Sequence, residues 1–166
     1  MEVTDNNIET ELNGSVSESS ILTMLKNISE DESKKIYSVA CDLYKADKYQ
    51  DAERLFQVLC ILNHYDTRFF LALGACRQHQ AHYHQALETY SYASLMSPSD
   101  PRFLLHAGEC LLHMKEFSTA KQAFAGAALL AKTQPGYEAL AEKAGMMLAV
   151  VTEQAEAGNT NITNLA

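Results

Sequence analysis

Cysteine and histidine are the residues of this chain whose types and spacing come nearest to chemistry. Cys76, His79, His82 and His84 lie in one short run, and thiolate and imidazole are donors that a zinc ion takes. His82 and His84, however, straddle what reads as a turn between two helices. No second cysteine or carboxylate spacing completes a ligand set, so the run reads as surface histidines rather than a metal centre. No Ser, His and Asp arrangement stands out as a hydrolytic triad, no two acids are paired for general acid and base work, and no glycine-rich phosphate loop is present. Cys41, Cys60, Cys76 and Cys110 each fall singly inside helical patterns without Cys-x-x-Cys spacing, which suits reduced, buried thiols. The residues therefore predict no enzyme and no metal or cofactor site. The work of this protein is expected to be binding.

Composition narrows the partner. The chain has 166 residues, 47% of them apolar and 20% charged, with 3 Pro, 7 Gly and no Trp. That suits one ordinary helical domain or one short repeat array with a real core. The net charge of −8 is concentrated at the ends: residues 1–32 carry eight acids and one base, whereas residues 33–134 carry nine acids and eleven bases. Such a near-neutral middle between acidic flanks is the wrong balance for gripping nucleic-acid phosphates or anionic lipid. The first residues, MEVTDNNIETELNG, have neither a basic start nor an apolar run, and no stretch approaches the length of a spanning helix. A cytoplasmic location without membrane contact is the expectation.

A 34-residue period organises the middle. Residues 33–66, 67–100 and 101–134 align without insertion. The columns are Ile36, Phe70 and Leu104; Ala40, Gly74 and Gly108; Tyr49, Tyr83 and Phe117; Ala52, Ala86 and Ala120; and Phe56, Tyr90 and Phe124. Each row reads as two amphipathic helices of about 13 residues. The small column lets the paired helices approach, and the aromatic column fills the space beside it. Asp66 and Asp100 stand where they would cap the next helix, Pro101 at its first position, and Ser29 with Glu32 forms an S-x-x-E capping box. This is the tetratricopeptide pattern, and it predicts an all-α fold of three tandem repeats forming a right-handed superhelical array.

The flanks complete the array. Residues 1–16 read as a disordered acidic segment, 17–28 as a short amphipathic helix, 136–156 as a helix capping the open end of the last repeat, and 159–166 as a flexible tail. One helical domain thus spans 17–158. The first helix of each pair should line a groove, with an apolar centre made by Tyr37, Cys41, Tyr44, Leu71, Ala72, Ala75, Leu105 and Leu112. Lys34, Arg68 and Arg102 lie at one rim and Lys45, His79 and His113 at the other, with Gln78 and His106 between. A groove of that kind suits an extended peptide with spaced apolar side chains, each worth roughly 1.5–3 kcal/mol when fully buried. Val58 and Leu62, surplus apolar residues on the second helix, mark a candidate dimer contact or a seat for the 17–28 helix.

The run KYQDAERLFQVLCILNHYDTRFFLALGACRQ, preceded by IYSVACDLY and followed by HAGECLL, closely resembles the class II chaperones of bacterial type III secretion, the LcrH/SycD family. The resemblance covers roughly residues 17–150. It implies three repeats, a bacterial cytoplasmic location, no catalysis, dimers, and binding of the major and minor translocator proteins before export. It also implies that a short P-x-L-x-x-P-like client segment is held in the groove. By position that peptide-binding role falls on Tyr37, Cys41, Tyr44, Leu71, Ala72, Ala75, Gln78, Leu105 and His106, with Arg68 at the rim. Cys41 departs from the family pattern, which usually has an aromatic there, so the first pocket is expected to be roomier or to accept a larger anchor preferentially. Other readings differ in the partner. A clamp for heat-shock protein tails would need Lys or Asn where Tyr37, Cys41 and Ala72 stand. A transcription activator is a further candidate partner, because some family members bind one when free of client.

Overall fold

The computed structural model describes residues 28–163, with side chains as far as Ala155. Seven helices and no strand occur among the described residues. They are α1 (Glu30–Lys45), α2 (Tyr49–Leu62), α3 (Thr67–His79), α4 (Tyr83–Met96), α5 (Pro101–His113), α6 (Phe117–Lys132) and α7 (Glu138–Thr163). Each packs against the next in sequence, and α7 also reaches back to α5. The predicted acidic segment and almost all of the predicted 17–28 helix lie outside the described residues. Ile28 itself is not helical.

Local chemistry sets the helix starts where the sequence placed them. Ser29 Oγ accepts from the Glu32 amide and the Glu32 carboxylate accepts from the Ser29 amide, completing the capping box. Asp66 and Asp100 cap α3 and α5 by accepting from the amides of Arg68 and Arg102. Each hairpin turn uses one residue in the left-handed region, Asp47 (φ 58°), Ala81 (φ 59°) and Lys115 (φ 62°), again 34 apart. The next amide closes the turn in each case: Lys48 N–H to the Leu43 carbonyl, His82 N–H to that of Arg77, and Glu116 N–H to that of Leu111. These bonds satisfy carbonyls that the helix end would otherwise leave free.

The repeat columns form the core. Ala40, Ala52, Ala86, Ala120, Tyr90 and Phe124 are fully buried and Phe56 nearly so. A Cβ placed on Gly74 would lie 2.4 Å from the ring of Tyr90, and one on Gly108 would lie 2.7 Å from that of Phe124. Only hydrogen fits under either ring, which explains the pairing of glycine with an aromatic sixteen positions on.

At the C-terminus, α7 runs from Glu138 to Thr163, where the sequence suggested 136–156. Gly136 has φ 90°, and its amide donates to the Glu138 side chain, so the helix begins after it. Val151 and Ala144 of α7 are fully buried against the last repeat.

Candidate peptide-binding groove

The first helices of the three pairs, α1, α3 and α5, carry every residue assigned to the groove. Tyr37, Cys41, Tyr44, Leu71, Ala72, Ala75, Gln78 and His106 are half-buried, so each keeps surface to offer, and Arg68 is exposed. Tyr37 leans on the core rings of Phe56 and Phe69, with centroids 6.1 and 5.6 Å away. Tyr44 stands edge-on to Tyr49 and His79. Both tyrosines are thus anchored aromatic walls, with small Ala72 and Ala75 on the neighbouring helix.

Leu105 departs from the expected lining. It is only 3% exposed and belongs to the core cluster that holds Ala144 and Val151 of α7. The capping helix packs against α5 as well as α6 and closes this position, whereas Leu112 on the same helix stays half-buried, so most of the accessible apolar lining comes from the first two repeats.

The rims also differ from a row of free cations. Arg68 and Arg102 each turn back on the Asp that caps their own helix, at 2.6 Å, so cap and cation neutralise one another. Beside Arg68, the Asp66 carboxyl is held below its usual range by the guanidinium's hydrogen bonds. Lys34 pairs with Glu30 and Asp31, and Lys45 with Asp42, all on exposed side chains where such pairs are weak. At the other rim His79 stacks on Tyr49 and His113 on Tyr83. These histidines clasp one repeat to the next.

Where α3 meets α5, polar groups converge. Glu109 accepts from His106 Nδ1 (2.9 Å), Gln78 Nε2 (3.0 Å) and Lys143 Nζ of α7 (2.6 Å). Burial alone would push its carboxyl up, but these three donors outweigh it and hold the pKa at about 2. Because an ionised carboxylate only accepts, His106 carries its proton on Nδ1.

A cavity of about 810 Å³ opens at the start of the array. Tyr37, Arg68 and Leu62 line it together with Ile61, Phe69 and Asn63, which the sequence did not single out. Val58 and Leu62, marked for self-association, are half-buried, whereas their neighbour Ile61 is 57% exposed. The signal for Ile61 was in the period: Leu95 and Leu129 occupy the same column and are 79% and 67% exposed.

The histidine and cysteine run does not converge. Cys76 is fully buried, His82 and His84 are exposed on the turn side, and His84 pairs with Glu88. No group of three metal-ligating side chains stands together among the described residues. Burial pushes the thiols of Cys60, Cys76 and Cys110 up to about 12, which leaves them protonated and unreactive. No helix among the described residues is long and apolar enough to cross a membrane.

Known proteins share both the sequence and the shape. A family model described as tetratricopeptide repeat matches residues 33–66. The low calcium response locus protein H of Yersinia pestis is 49% identical over 74 residues, 45% of this chain and 44% of that protein, so the match spans less than half of its length. PcrH of Pseudomonas aeruginosa, in complex with the chaperone binding region of PopD, is 46% identical with a TM-score of 0.76, covering 79% of this chain and 98% of PcrH. The Yersinia enterocolitica chaperone SycD, in complex with a peptide of the translocator YopD, is 40% identical with a TM-score of 0.73, covering 78% of this chain and 98% of SycD. SycD is also seen in an alternative dimer. With near-complete coverage of PcrH and SycD at these identities, on a helical array whose glycine, aromatic and capping columns all stand in place, the chain belongs to the LcrH/SycD family of type III secretion translocator chaperones.

Proposed function

We propose that this protein is a cytoplasmic, non-enzymatic chaperone that binds translocator proteins through the face of α1 and α3 and keeps them competent for export. One observation carries the reading. Tyr37, Cys41, Tyr44, Leu71, Ala72 and Ala75 form a half-open apolar lining that the protein's own core leaves uncovered, on a fold shared with chaperones seen holding translocator segments. Translocators carry membrane-inserting stretches that would aggregate or insert early if left free. Covering part of such a stretch in an extended form prevents both without nucleotide or chemistry. The apolar walls supply the burial, and Arg68, Gln78 and His106 lie beside them to meet the client's polar main chain.

Calorimetric titration of the full chain with a peptide spanning the chaperone binding region of PopD tests this. Saturable binding is expected, and its loss in Ala72→Glu with the helical circular dichroism retained. Absence of binding by the unaltered chain would overturn the reading.

Self-association is assigned to Val58 and Leu62, extended by exposed Ile61. The family's dimers support it, and so does the apolar character of this face of α2. Sedimentation of Val58→Glu with Leu62→Glu is expected to show monomer. An oligomer identical to the parent would reject this contact.

A further inference from the structure

Gln78, at the last turn of α3, has its amide held at both ends. Its Nε2 donates to Glu109 Oε2 at 3.0 Å, and its Oε1 accepts from the hydroxyl of Tyr90 at 3.1 Å. A carboxylate cannot donate, so the nitrogen must face Glu109. Tyr90 is fully buried, and its phenol proton finds its acceptor at Gln78 Oε1. Reversing the amide would set a carbonyl against a carboxylate and turn an NH2 group toward a donor. The amide therefore has one orientation. Glu109 is itself kept in place by His106 Nδ1 and Lys143 Nζ.

That orientation uses one of the two Nε2 hydrogens. The other has no acceptor among the described residues, on a half-exposed side chain one helical turn from Ala75. The geometry points to Glu109 and Tyr90 as positioning residues that hold Gln78 as a fixed N–H donor to a main-chain carbonyl of the bound client. An extended client presents carbonyls it cannot satisfy within itself, and a donor already oriented loses little freedom on meeting one. The inference rests on the groove reading above, and it explains why a buried tyrosine and a largely covered carboxylate converge on one half-buried glutamine of the groove helix.

The test uses the full chain and the PopD chaperone-binding peptide. If the unaltered protein does not bind, the chaperone reading fails and this inference with it. Given binding, Glu109→Leu is expected to weaken affinity roughly three- to tenfold, the scale of one hydrogen bond. Glu109→Gln, whose side-chain carbonyl accepts the same hydrogen, is expected to stay within about twofold of the parent on that scale. Gln78→Leu should match Glu109→Leu, and the double variant should be no weaker than either. Should Glu109→Leu fail to fold, Tyr90→Phe enters the same cycle against Gln78→Leu. Losses that add in the double variant, parent-like binding by Glu109→Leu, or a Glu109→Gln loss as large as that of Glu109→Leu would each overturn the inference.

Discussion

The rings of Tyr49 and His79 lie stacked, with centroids 4.3 Å apart and planes within 6°; Tyr83 and His113 repeat the arrangement at 4.4 Å and 2°. Each pair joins the second helix of one repeat to the first helix of the next. Each joint between repeats thus carries an aromatic clasp at one rim. A double-mutant cycle of Tyr83→Leu and His113→Leu, read by urea unfolding, is expected to show a coupling of about 0.5–1.5 kcal/mol. Additive losses would show that the rings merely lie side by side.

Gly74→Ala tests the close approach under Tyr90. The added methyl would lie 2.4–2.9 Å from three ring atoms, and the ring cannot slide without disturbing its hydroxyl bond to Gln78. A loss of about 1–3 kcal/mol is expected in denaturant unfolding. Gly145→Ala, where a Cβ meets open space beyond its own helix, should cost nothing or gain slightly from helix propensity and serves as the control.

Ala81→Gly is expected to stabilise. Ala81 holds φ 59° in the turn between α3 and α4, a region that costs an L side chain roughly 1–2 kcal/mol. Glycine adopts it freely but loses more chain entropy on folding, leaving a net gain of about 0.5–1 kcal/mol. A thermal midpoint higher by about 2 °C would register it. An unchanged or lower midpoint would show that the turn carries no such strain.

Acid sensitivity should trace in part to Glu109. Its folded pKa of about 2 lies below the ordinary 4.5, so the unfolded chain takes up its proton first as pH falls. The stabilisation is complete above about pH 4.5 and is lost between there and about pH 2, up to roughly 3 kcal/mol. Glu109→Gln should flatten that stretch of the stability curve and leave the neutral-pH slope unaltered. Parallel curves for the two proteins below pH 4.5 would contradict it.

Asp100 and Asp66 make the same cap and the same Arg pairing, but Asp100 is 9% exposed and its Arg is partly covered. Asp100→Ala should therefore cost more than Asp66→Ala, about 2 kcal/mol against about 1. Equal losses in thermal unfolding would mean that burial adds nothing to the cap.

Much of this architecture is written locally. Gly74 and Tyr90, Asp66 and Asp100, Ser29 and Glu32, and the 34-residue period are legible because size complementarity, capping and helix pairing act between positions a fixed step apart. The repeated Asp-x-Arg of Asp66–Arg68 and Asp100–Arg102 is equally local, but the sequence alone reads these arginines as free rim cations, and the structure turns each back on its capping Asp. Tertiary structure alone decided that α7 folds over Leu105, that Lys143 reaches Glu109, and that Tyr90, Gln78 and Glu109 meet. Those contacts depend on how far each hairpin rotates on the last, a sum of small packing angles along the array that no single residue encodes.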